Sequence, residues 1–404
     1  SGNTVTSSTA TIAIATSGAT LGGTTSVAAV SGSVTYSGIK LTGTTGTYTL
    51  TYSSTGLTSA TQSITTTFGA ATQLVLTTPV AGLVNRTNFT TQPVVKVEDA
   101  SGNVVTTSTA SITASISSGT LTGTVTLSAV AGIADWSTAA TALGQYGTAA
   151  TKTLTFASTG LTSATQSITT TFGATYKLGI TTGVASGSVV NNANFGAQPV
   201  VAIQDQDGNT VTSGADATQN VTLTIDSGTL SGTTSVAAVG GVATFSGLKY
   251  VGLIGTRTLT YAIASPSAIT KTESITVTYG AATQLQLTQS AATAANAAAF
   301  GTQPRVSVLD ISGNTVANSV ATVTISTVGA TIGGTTSVNA VNGVATFSGL
   351  SLTGTAASYT ITYASSGLTS ATQSLALTYG AATKLAVTTS AAGFVNRANF
   401  TTQP

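Results

Sequence analysis

The sequence has no cysteine, no histidine and no methionine among its 404 residues. Without cysteine no disulfide can form. Without histidine or cysteine the usual zinc and copper ligands are missing, and so are the Ser-His-Asp and Cys-His catalytic groups. These absences exclude most nucleophilic and transition-metal catalysis. Because methionine is missing too, we expect an internal or processed segment of a longer protein.

Charged residues are also scarce. There are 11 Lys and Arg and 9 Asp and Glu, which is 5% of the chain, against roughly 25% in an ordinary soluble domain. A net charge of +2 leaves no basic patch to neutralise phosphates, so no nucleic-acid partner is predicted. The apolar runs are shorter than the roughly 20 residues of a membrane helix, so no membrane insertion by this segment is predicted.

What the sequence does contain is threonine, serine, glycine and 41% hydrophobic residues. Disordered chains are usually charged and poor in Val and Ile, whereas this chain is rich in both. Threonine is a strand residue because its branched Cβ suits a pleated, half-exposed surface. The composition therefore favours a folded, threonine-rich β protein.

Internal repetition is the strongest signal. Three short motifs recur about every hundred residues: Ser-Gly-Asn or Asp-Gly-Asn around Gly2, Gly102, Gly208 and Gly313; Gln-Pro at 92–93, 198–199, 303–304 and 403–404; and an aromatic-Gly-Ala triplet at Phe68, Phe172, Tyr279 and Tyr379. A unit of this length is too long for a solenoid repeat and matches one small β-sandwich.

Setting the boundaries at the aromatic-Gly-Ala triplet divides the chain into four repeats and a tail. They are repeat 1 (1–67, lacking two early strands), repeat 2 (68–171), repeat 3 (172–278), repeat 4 (279–378) and the C-terminal segment (379–404), which carries most of what repeat 1 lacks. Continuation of the chain into further copies is the favoured expectation. The alternative is that neighbouring molecules complete each other by strand addition.

Within each repeat apolar and polar residues alternate. Val221, Leu223 and Ile225 alternate with threonines, and Tyr48 and Leu50 do the same. A period of two sends neighbouring side chains to opposite faces of a strand, and no stretch shows a helical period. We predict an all-β fold of antiparallel sheets. The lone Trp136 and the remaining Tyr and Phe residues are predicted to lie in the core.

Three sequence motifs resemble a known family: Val-Lys-Val-Glu-Asp-Ala-Ser-Gly-Asn at 95–103, Ser-Gly-Thr-Leu-Ser-Gly-Thr-Thr at 227–234, and Gly-Val-Ala-Thr-Phe-Ser-Gly-Leu at both 241–248 and 343–350. They are similar to the bacterial immunoglobulin-like repeats of invasin- and intimin-type adhesins and other giant surface proteins. The resemblance implies tandem immunoglobulin-like β-sandwiches arranged as an elongated rod, which in that family holds a binding tip away from the cell.

Few residues could carry chemistry. Asp205, Asp207 and Asn209 supply the oxygen ligands that begin a calcium loop, without the distant Glu that completes an EF-hand. We interpret them as a hairpin turn with solvated carboxylates, so calcium is an unfavoured alternative and no cofactor is predicted. Glu98 and Asp99 are adjacent on a strand and point to opposite faces, which does not suit paired-carboxylate hydrolysis. No enzyme is predicted.

Four asparagines begin Asn-x-Thr sequons and are candidate glycosylation sites, although such triplets arise by chance in a threonine-rich chain: Asn85, Asn88, Asn220 and Asn399. The Asn-Arg pairs at 85–86 and 396–397 fall in connections between sandwiches. They either bridge neighbouring repeats or are solvated.

The predicted function is a structural repeat segment of an extracellular or cell-surface fibre, stalk or sheath. Its predicted partners are copies of itself, through end-to-end continuation, strand complementation or lateral packing. The alternative is an adhesin module that binds carbohydrate or a host protein, which the resemblance also allows.

Overall fold

The computed structural model describes residues 2–184, 189–393, 395–399 and 401–404, and within them the chain is all-β. One short 3-10 helix, Ala215–Thr218, lies among these residues, and none of the described helices is long and apolar enough to cross a membrane. The chain forms two compact units. Unit 1 comprises Ser1–Lys177 with Ile203–Ala217, and unit 2 comprises Leu178–Ala202 with Thr218–Pro404.

Unit 1 contains repeats 1 and 2. The strands of repeat 1 are β1 (Thr11–Thr16), β2 (Thr20–Gly22), β3 (Ser26–Ala28), β4 (Lys40–Thr42), β5 (Gly46–Ser53) and β6 (Ala60–Thr66). Those of repeat 2 are β7 (Ala71–Thr78), β8 (Thr87–Asn88), β9 (Val94–Asp99), β10 (Ser111–Ile116), β11 (Thr120–Thr122), β12 (Thr126–Ser128), β13 (Ile133–Asp135), β14 (Gly144–Tyr146), β15 (Thr151–Ala157) and β16 (Ala164–Thr169).

Unit 2 contains most of repeat 3, and repeat 4. Repeat 3 has strands β17 (Lys177–Thr182), β18 (Val189–Val190), β19 (Val200–Gln204), β20 (Asn220–Ile225), β21 (Thr229–Ser231), β22 (Ser235–Ala237), β23 (Val242–Thr244), β24 (Lys249–Val251), β25 (Gly255–Ile263) and β26 (Ile269–Thr278). Repeat 4 has β27 (Gln284–Gln289), β28 (Ala294–Ala295), β29 (Arg305–Leu309), β30 (Thr322–Thr327), β31 (Thr331–Gly333), β32 (Ser337–Asn339), β33 (Val344–Thr346), β34 (Ser351–Thr353), β35 (Ser358–Ala364) and β36 (Ala371–Thr378).

Repeat 4 shows the sandwich most completely. One sheet has the order β28-β36-β35-β30-β32, a second has the order β27-β29-β33, and β31 pairs with β34. The pairings are antiparallel except that of β28 with β36. Residues from both sheets, such as Val306 and Val308 of β29 and Val323 and Ile361 of β30 and β35, share one buried cluster. Two antiparallel sheets closed over one core are an immunoglobulin-like β-sandwich, as the sequence predicted.

Repeats 2 and 3 follow the same plan and differ from repeat 4 mainly at the edge of the large sheet, whereas the described part of repeat 1 has a large sheet and the β2-β4 pair without a second three-stranded sheet. The large sheet has five strands in repeat 3, in the order β18-β26-β25-β20-β22, and four in repeat 2, in the order β12-β10-β15-β16. In repeat 2 an isolated parallel bridge from Val84 to Thr171 stands where repeats 3 and 4 have a short parallel strand. In repeat 1 the large sheet, β3-β1-β5-β6, ends at β6.

The predicted alternation decides which side chains enter the core. In β30 the valine and isoleucine at 323 and 325 are buried while Thr322 and Thr324 face outward. On the outer face of repeat 2, Thr151 and Thr169 are opposite one another with their hydroxyl oxygens 3.1 Å apart. Threonine therefore serves as the polar surface in place of charge.

The largest fully buried side chains of the cores are aromatic. Trp136 is fully buried, with its ring 5.5 Å from that of Phe156, and Phe347 and Tyr363 form the matching pair in repeat 4. The expectation that every Tyr and Phe is a core residue was wrong for Tyr176 and Tyr379, which are 59% and 88% exposed. Both lie between strands, where the alternation that orients the others does not apply.

Tight hairpins close each repeat in the same way. In repeat 4 Asn342 and Gly343 have φ values of 50° and 74°, and Val341 and Val344 exchange backbone hydrogen bonds of 2.9 and 3.0 Å. A Cβ on Gly343 would lie 2.5 Å from the carbonyl oxygen of Val316, so glycine is required here.

Candidate functional site: the junctions between repeats

Each junction is built on an aspartate at the end of a strand, which is either its last residue (Asp99) or the residue directly after it (Asp205 and Asp310). β9 ends at Asp99 and runs into the turn Ser101-Gly102-Asn103, in which Gly102 has a φ of 82°. The Oδ1 atom of Asp99 accepts hydrogen bonds of 2.9 Å from the backbone nitrogens of both Ser101 and Asn103. This Asx turn is formed again at Asp205 and Asp310. Glu98 bridges Val104 across the turn that follows Asp99, which makes it a tight hairpin.

The second carboxylate oxygen holds the linker between repeats. Oδ2 of Asp99, Asp205 and Asp310 accepts the backbone N–H of the glycine in the aromatic-Gly-Ala triplet, at 2.7 Å from Gly69, 2.9 Å from Gly173 and 3.0 Å from Gly280. All three aspartates are at most 4% exposed. The glycine in the linker between two sandwiches is thus hydrogen-bonded to the turn aspartate of the second sandwich.

An asparagine in the same turn reaches back to the preceding repeat. The Oδ1 atom of Asn209 accepts the backbone N–H of Ala149 at 2.6 Å, and its Nδ2 donates to the carbonyl of Gly147 at 2.9 Å. Asn314 makes the same pair of contacts with Ile254 and Gly252, each at 3.0 Å. Asn103 does so with Thr45 and Gly43 at 2.7 and 3.0 Å. A carboxamide can do this because it both donates and accepts.

A second asparagine, which belongs to the preceding repeat, also donates a hydrogen bond to the aspartate of the next repeat. Nδ2 of Asn85 donates to Oδ2 of Asp205 at 2.8 Å, and Nδ2 of Asn191 donates to Oδ2 of Asp310 at the same distance. Both asparagines are at most 2% exposed. The Oδ1 atom of Asn85 in turn accepts the N–H of Gly147 at 2.9 Å, which fixes its orientation. Of the two interpretations of the Asn85-Arg86 pair, bridging is confirmed.

An ion pair is added at the junction between repeats 2 and 3. Arg86 donates to both carboxylate oxygens of Asp207, at 2.9 Å through Nε and 2.6 Å through Nη2, and its guanidinium lies 5.0 Å from the ring centre of Tyr146. Arg86 adopts a φ of 63° to place this group. At the next junction Ser312 stands in the place of Asp207 and accepts from Asn191 at 2.9 Å.

The hydrogen bonds set the charge state of the aspartates. Burial by itself would raise the pKa of Asp205 and of Asp310, but the donors around each carboxylate outweigh it and hold both pKa values below the ordinary 3.8. The bond from Arg86 is the main cause that lowers the pKa of Asp207. For Asp99 the N–H of Gly69 contributes most, and its pKa is lowered strongly. The junctions are therefore built around ionised carboxylates.

The solvated carboxylates expected at Asp205 and Asp207 are thus a wrong interpretation. Asp205 is 1% exposed and Asp207 is paired with Arg86, because the Asx turn folds the first carboxylate under the linker. Asn209, the third candidate metal ligand, points its side chain to the preceding repeat. Among the described residues no group of three or more acidic, His or Cys side chains is close enough to hold a metal.

The candidate glycosylation sites have different surroundings. Asn85 is 1% exposed and its amide nitrogen donates to two carboxylates, so the folded chain presents no free amide there. Asn88, Asn220 and Asn399 are exposed. Glycosylation at these three remains a prediction.

Sequence reasoning missed the aspartate network and one buried cation. The missed signal is the spacing Asp-x-x-Gly-Asn, present at 99–103, 205–209 and 310–314. The cation is Lys152, 2% exposed, whose Nζ donates to Oε1 of Gln145 at 2.9 Å. Burial lowers the pKa of Lys152. The alternation of β15 places it inward, where the other repeats have Tyr48, Arg257 and Tyr359.

No described protein family and no curated protein matches the sequence. Solved structures with a similar arrangement include the Escherichia coli adhesin FdeC, with 18% identity and a TM-score of 0.35, covering 78% of this chain and all of that one. Invasin, a bacterial integrin-binding protein, has 14% identity and a TM-score of 0.30, covering 92% of this chain and 72% of that one.

Enzymes are matched as well. A Parabacteroides merdae β-glucuronidase has 14% identity and a TM-score of 0.20, and the match covers 49% of this chain and 24% of the enzyme. The chain therefore spans about a quarter of that enzyme's length. At these TM-scores the fold assignment depends on the strand topology described above.

Proposed function

We propose that the chain is a structural segment of an extracellular fibre, stalk or sheath, in which tandem immunoglobulin-like domains are joined by stiff connections and hold other parts at a distance. The observation that carries the proposal is the recurrence of one buried network, which is complete at two junctions and lacks the asparagine from the preceding repeat at the first. The same atoms of an aspartate, a linker glycine and two asparagines meet at Asp205 and at Asp310.

The network supports stiffness because bending must break buried hydrogen bonds. A flexible linker has a solvated backbone, whereas the N–H groups of Gly173 and Gly280 are buried against carboxylates. Hydrogen bonds to charged groups contribute about 1.5–3 kcal/mol each. Two or more per junction would keep bent arrangements at a small fraction of the population.

The surface supports a place in a larger assembly. Its outer strands carry Thr and Ser, with 20 charged residues in 404. Such a surface has little like-charge repulsion and few of the edge lysines that keep free sheets apart, so copies could pack laterally at any ionic strength. A location outside the cell, as in the family that the sequence resembles, belongs to this proposal.

Electron microscopy of single chains tests the proposal. Wild-type images should show a narrow distribution of bend angles between neighbouring domains, and Asn191→Ala should widen it at one position only. The matched control is Asn220→Ala, at an exposed asparagine outside the junctions. A wild-type distribution as broad as that of the variant would contradict the proposal.

A glycan array tests the alternative that the chain is an adhesin module. Specific and saturable binding to a glycan would favour that alternative.

A further inference from the structure

The first and last segments of repeat 4 run side by side in the same direction. A parallel bridge joins Gln284, at the start of β27, to Thr369, which lies just before β36. At the other end of β36, Ala294 of β28 pairs in parallel with Leu377. The chain therefore enters the repeat at one end of this contact and leaves it at the other end.

Backbone hydrogen bonds hold both ends of the contact. At the entry, the N–H of Leu285 donates to the carbonyl of Thr369 at 2.8 Å, and the N–H of Thr369 donates to the carbonyl of Thr283 at 2.9 Å. At the exit, the N–H of Asn296 donates to the carbonyl of Thr378 at 3.0 Å. The first segment is thus attached to the last one at two well-separated points.

A glutamine side chain fastens the middle of the contact. The Oε1 atom of Gln373 accepts the backbone N–H of Ala291 at 2.8 Å, and its Nε2 atom donates to the carbonyl of the same residue at 2.9 Å. In repeat 2, Gln166 makes the same two bonds with Val80, at 2.9 and 3.0 Å. A carboxamide can form this pair of bonds because it both donates and accepts.

Repeat 2 is also held at both ends. The N–H of Leu74 donates to the carbonyl of Thr162 at 2.8 Å, and the N–H of Asn85 donates to the carbonyl of Thr171 at 3.1 Å. We call this shared contact the terminal clamp. It joins 72–85 to 162–171 in repeat 2, and 283–296 to 369–378 in repeat 4.

Repeat 3 has a glutamate in place of the central glutamine. Glu273 occupies the register position in the sheet that Gln166 and Gln373 occupy in repeats 2 and 4. Its Oε2 atom accepts the hydroxyl of Tyr261 at 2.8 Å. A carboxylate only accepts hydrogen bonds, so it cannot also donate to a backbone carbonyl. Repeat 3 keeps the parallel pair at the exit, β18 with β26, without the two-way bond in the middle.

The direction of the contact decides how it responds to tension. When the two ends of an antiparallel hairpin are pulled apart, the bonds nearest to them break first and the others follow one at a time. In a parallel contact the pulled ends lie at opposite extremes, about 30 Å apart for strands of this length. The bonds between them then carry the load together, so none opens without the others.

We propose that the terminal clamp makes repeats 2 and 4 load-bearing modules, which resist unfolding when the chain is pulled along its length. Repeat 3, with its central bond weakened, unfolds first of the three and lengthens the chain under a load that the other two withstand. The inference rests on the proposed function, since a stalk or fibre segment is loaded end to end, and it adds resistance to tension.

Single-molecule pulling of the full-length chain through its two ends tests the inference. Repeats 2 and 4 have separate cores and should unfold in separate steps at constant force. Gln373→Glu gives repeat 4 the side chain that repeat 3 has. We expect one step to become about tenfold faster, because losing about one buried hydrogen bond that is broken in the transition state changes the rate by roughly this factor.

The matched control is Gln303→Glu. Gln303 bonds to the backbone in the same manner, donating to the carbonyls of Phe300 and Leu350 and accepting the N–H of Leu350, but it lies outside the terminal clamp. Both variants should lower the calorimetric transition of repeat 4, whereas only Gln373→Glu should speed its unfolding under force. Equal rates in the two variants, or an unchanged rate in Gln373→Glu, would overturn the inference.

A change of pulling direction tests the clamp with its own residues intact. The chain has no cysteine, so handles attach only at introduced ones. Ala357→Cys and Tyr379→Cys alter exposed residues at one end of the β35–β36 hairpin, where Ala357 accepts the N–H of Leu377. Force between these two handles opens the hairpin bond by bond, and repeat 4 should unfold at a lower force than in end-to-end pulling.

An equal or greater force in the hairpin direction would refute the load-bearing role. The bend angles of single chains report on the junctions rather than on the terminal clamp. A failure of the clamp and a failure of the proposed stiff segment are therefore told apart.

Discussion

Removing the carboxylate of Asp310 is expected to open the junction between repeats 3 and 4. In the wild type this fully buried group accepts hydrogen bonds from the backbone nitrogens of Gly280, Ser312 and Asn314, besides two carboxamides. In Asp310→Ala these three N–H groups lose their acceptor. The carboxamides of Asn191 and Asn314 keep a second partner, in Ser312 and Gly252.

The magnitude follows from the three orphaned donors. A buried donor left without an acceptor costs about 1–3 kcal/mol, and Ser312 lies nearer to the surface than the other two. A total of about 4 kcal/mol corresponds to roughly a 1,000-fold larger opening equilibrium at the junction, since each 1.4 kcal/mol is a factor of about ten. The core of repeat 4 is held by apolar packing rather than by these hydrogen bonds, so its own stability should change little.

Hydrogen exchange of the backbone amides in the full-length chain measures this opening directly. Protection of the Gly280 and Asn314 amides should fall by roughly 1,000-fold in Asp310→Ala, while amides of β30 and β35 in the core of repeat 4 change little. The control is Asp226→Ala, at an exposed aspartate of repeat 3. A loss of less than about threefold at Gly280 would show that the carboxylate does not hold the junction, and would refute the reasoning.

Three further outcomes are expected. Because the folded-state pKa values of Asp205 and Asp310 lie below 3.8, the stability they contribute is present above pH 3.8 and is lost as the pH falls through the lowered values. The protection of the Gly173 and Gly280 amides, taken relative to the intrinsic exchange rate at each pH, should therefore be steady from about pH 7 to 5 and fall in stronger acid. Trp136→Ala should destabilise repeat 2 by about 3–5 kcal/mol, seen as a lower calorimetric transition for that repeat alone. Gly343→Ala should cost about 1–3 kcal/mol through positive φ and the clash with Val316, whereas Gly196→Ala, in open space, should leave the transition of its repeat in place.

The fold follows from the sequence because local pattern and burial agree. Alternation in segments such as Val221-Thr222-Leu223 fixes which face is buried, and the glycines of the tight hairpins mark where positive φ is needed. The recurring motifs divide the chain into units of one sandwich each. The boundaries drawn at the aromatic-Gly-Ala triplets remain predictions.

The junctions were harder to predict from the sequence than the fold, because their contacts join residues that are far apart in the chain. Asn85 and Asp205, which are hydrogen-bonded, lie 120 positions apart in the sequence. No local sequence pattern indicates that a linker will cover a carboxylate next to a turn. Its position beside a turn suggested that Asp205 is solvated, since turn aspartates usually are. The signal that could have corrected this is its recurrence at 99, 205 and 310, always four residues before an asparagine.

Solution scattering from dilute wild-type chains tests the central claim most directly. The proposed arrangement, four repeats of roughly 35 Å end to end with stiff junctions, predicts a rod on the order of 140 Å long, with a radius of gyration near 40 Å. A compact protein of this length would have a radius of gyration of about 22 Å. A value near the first, unchanged by salt and lowered by Asp310→Ala, supports the account; a value near the second contradicts it.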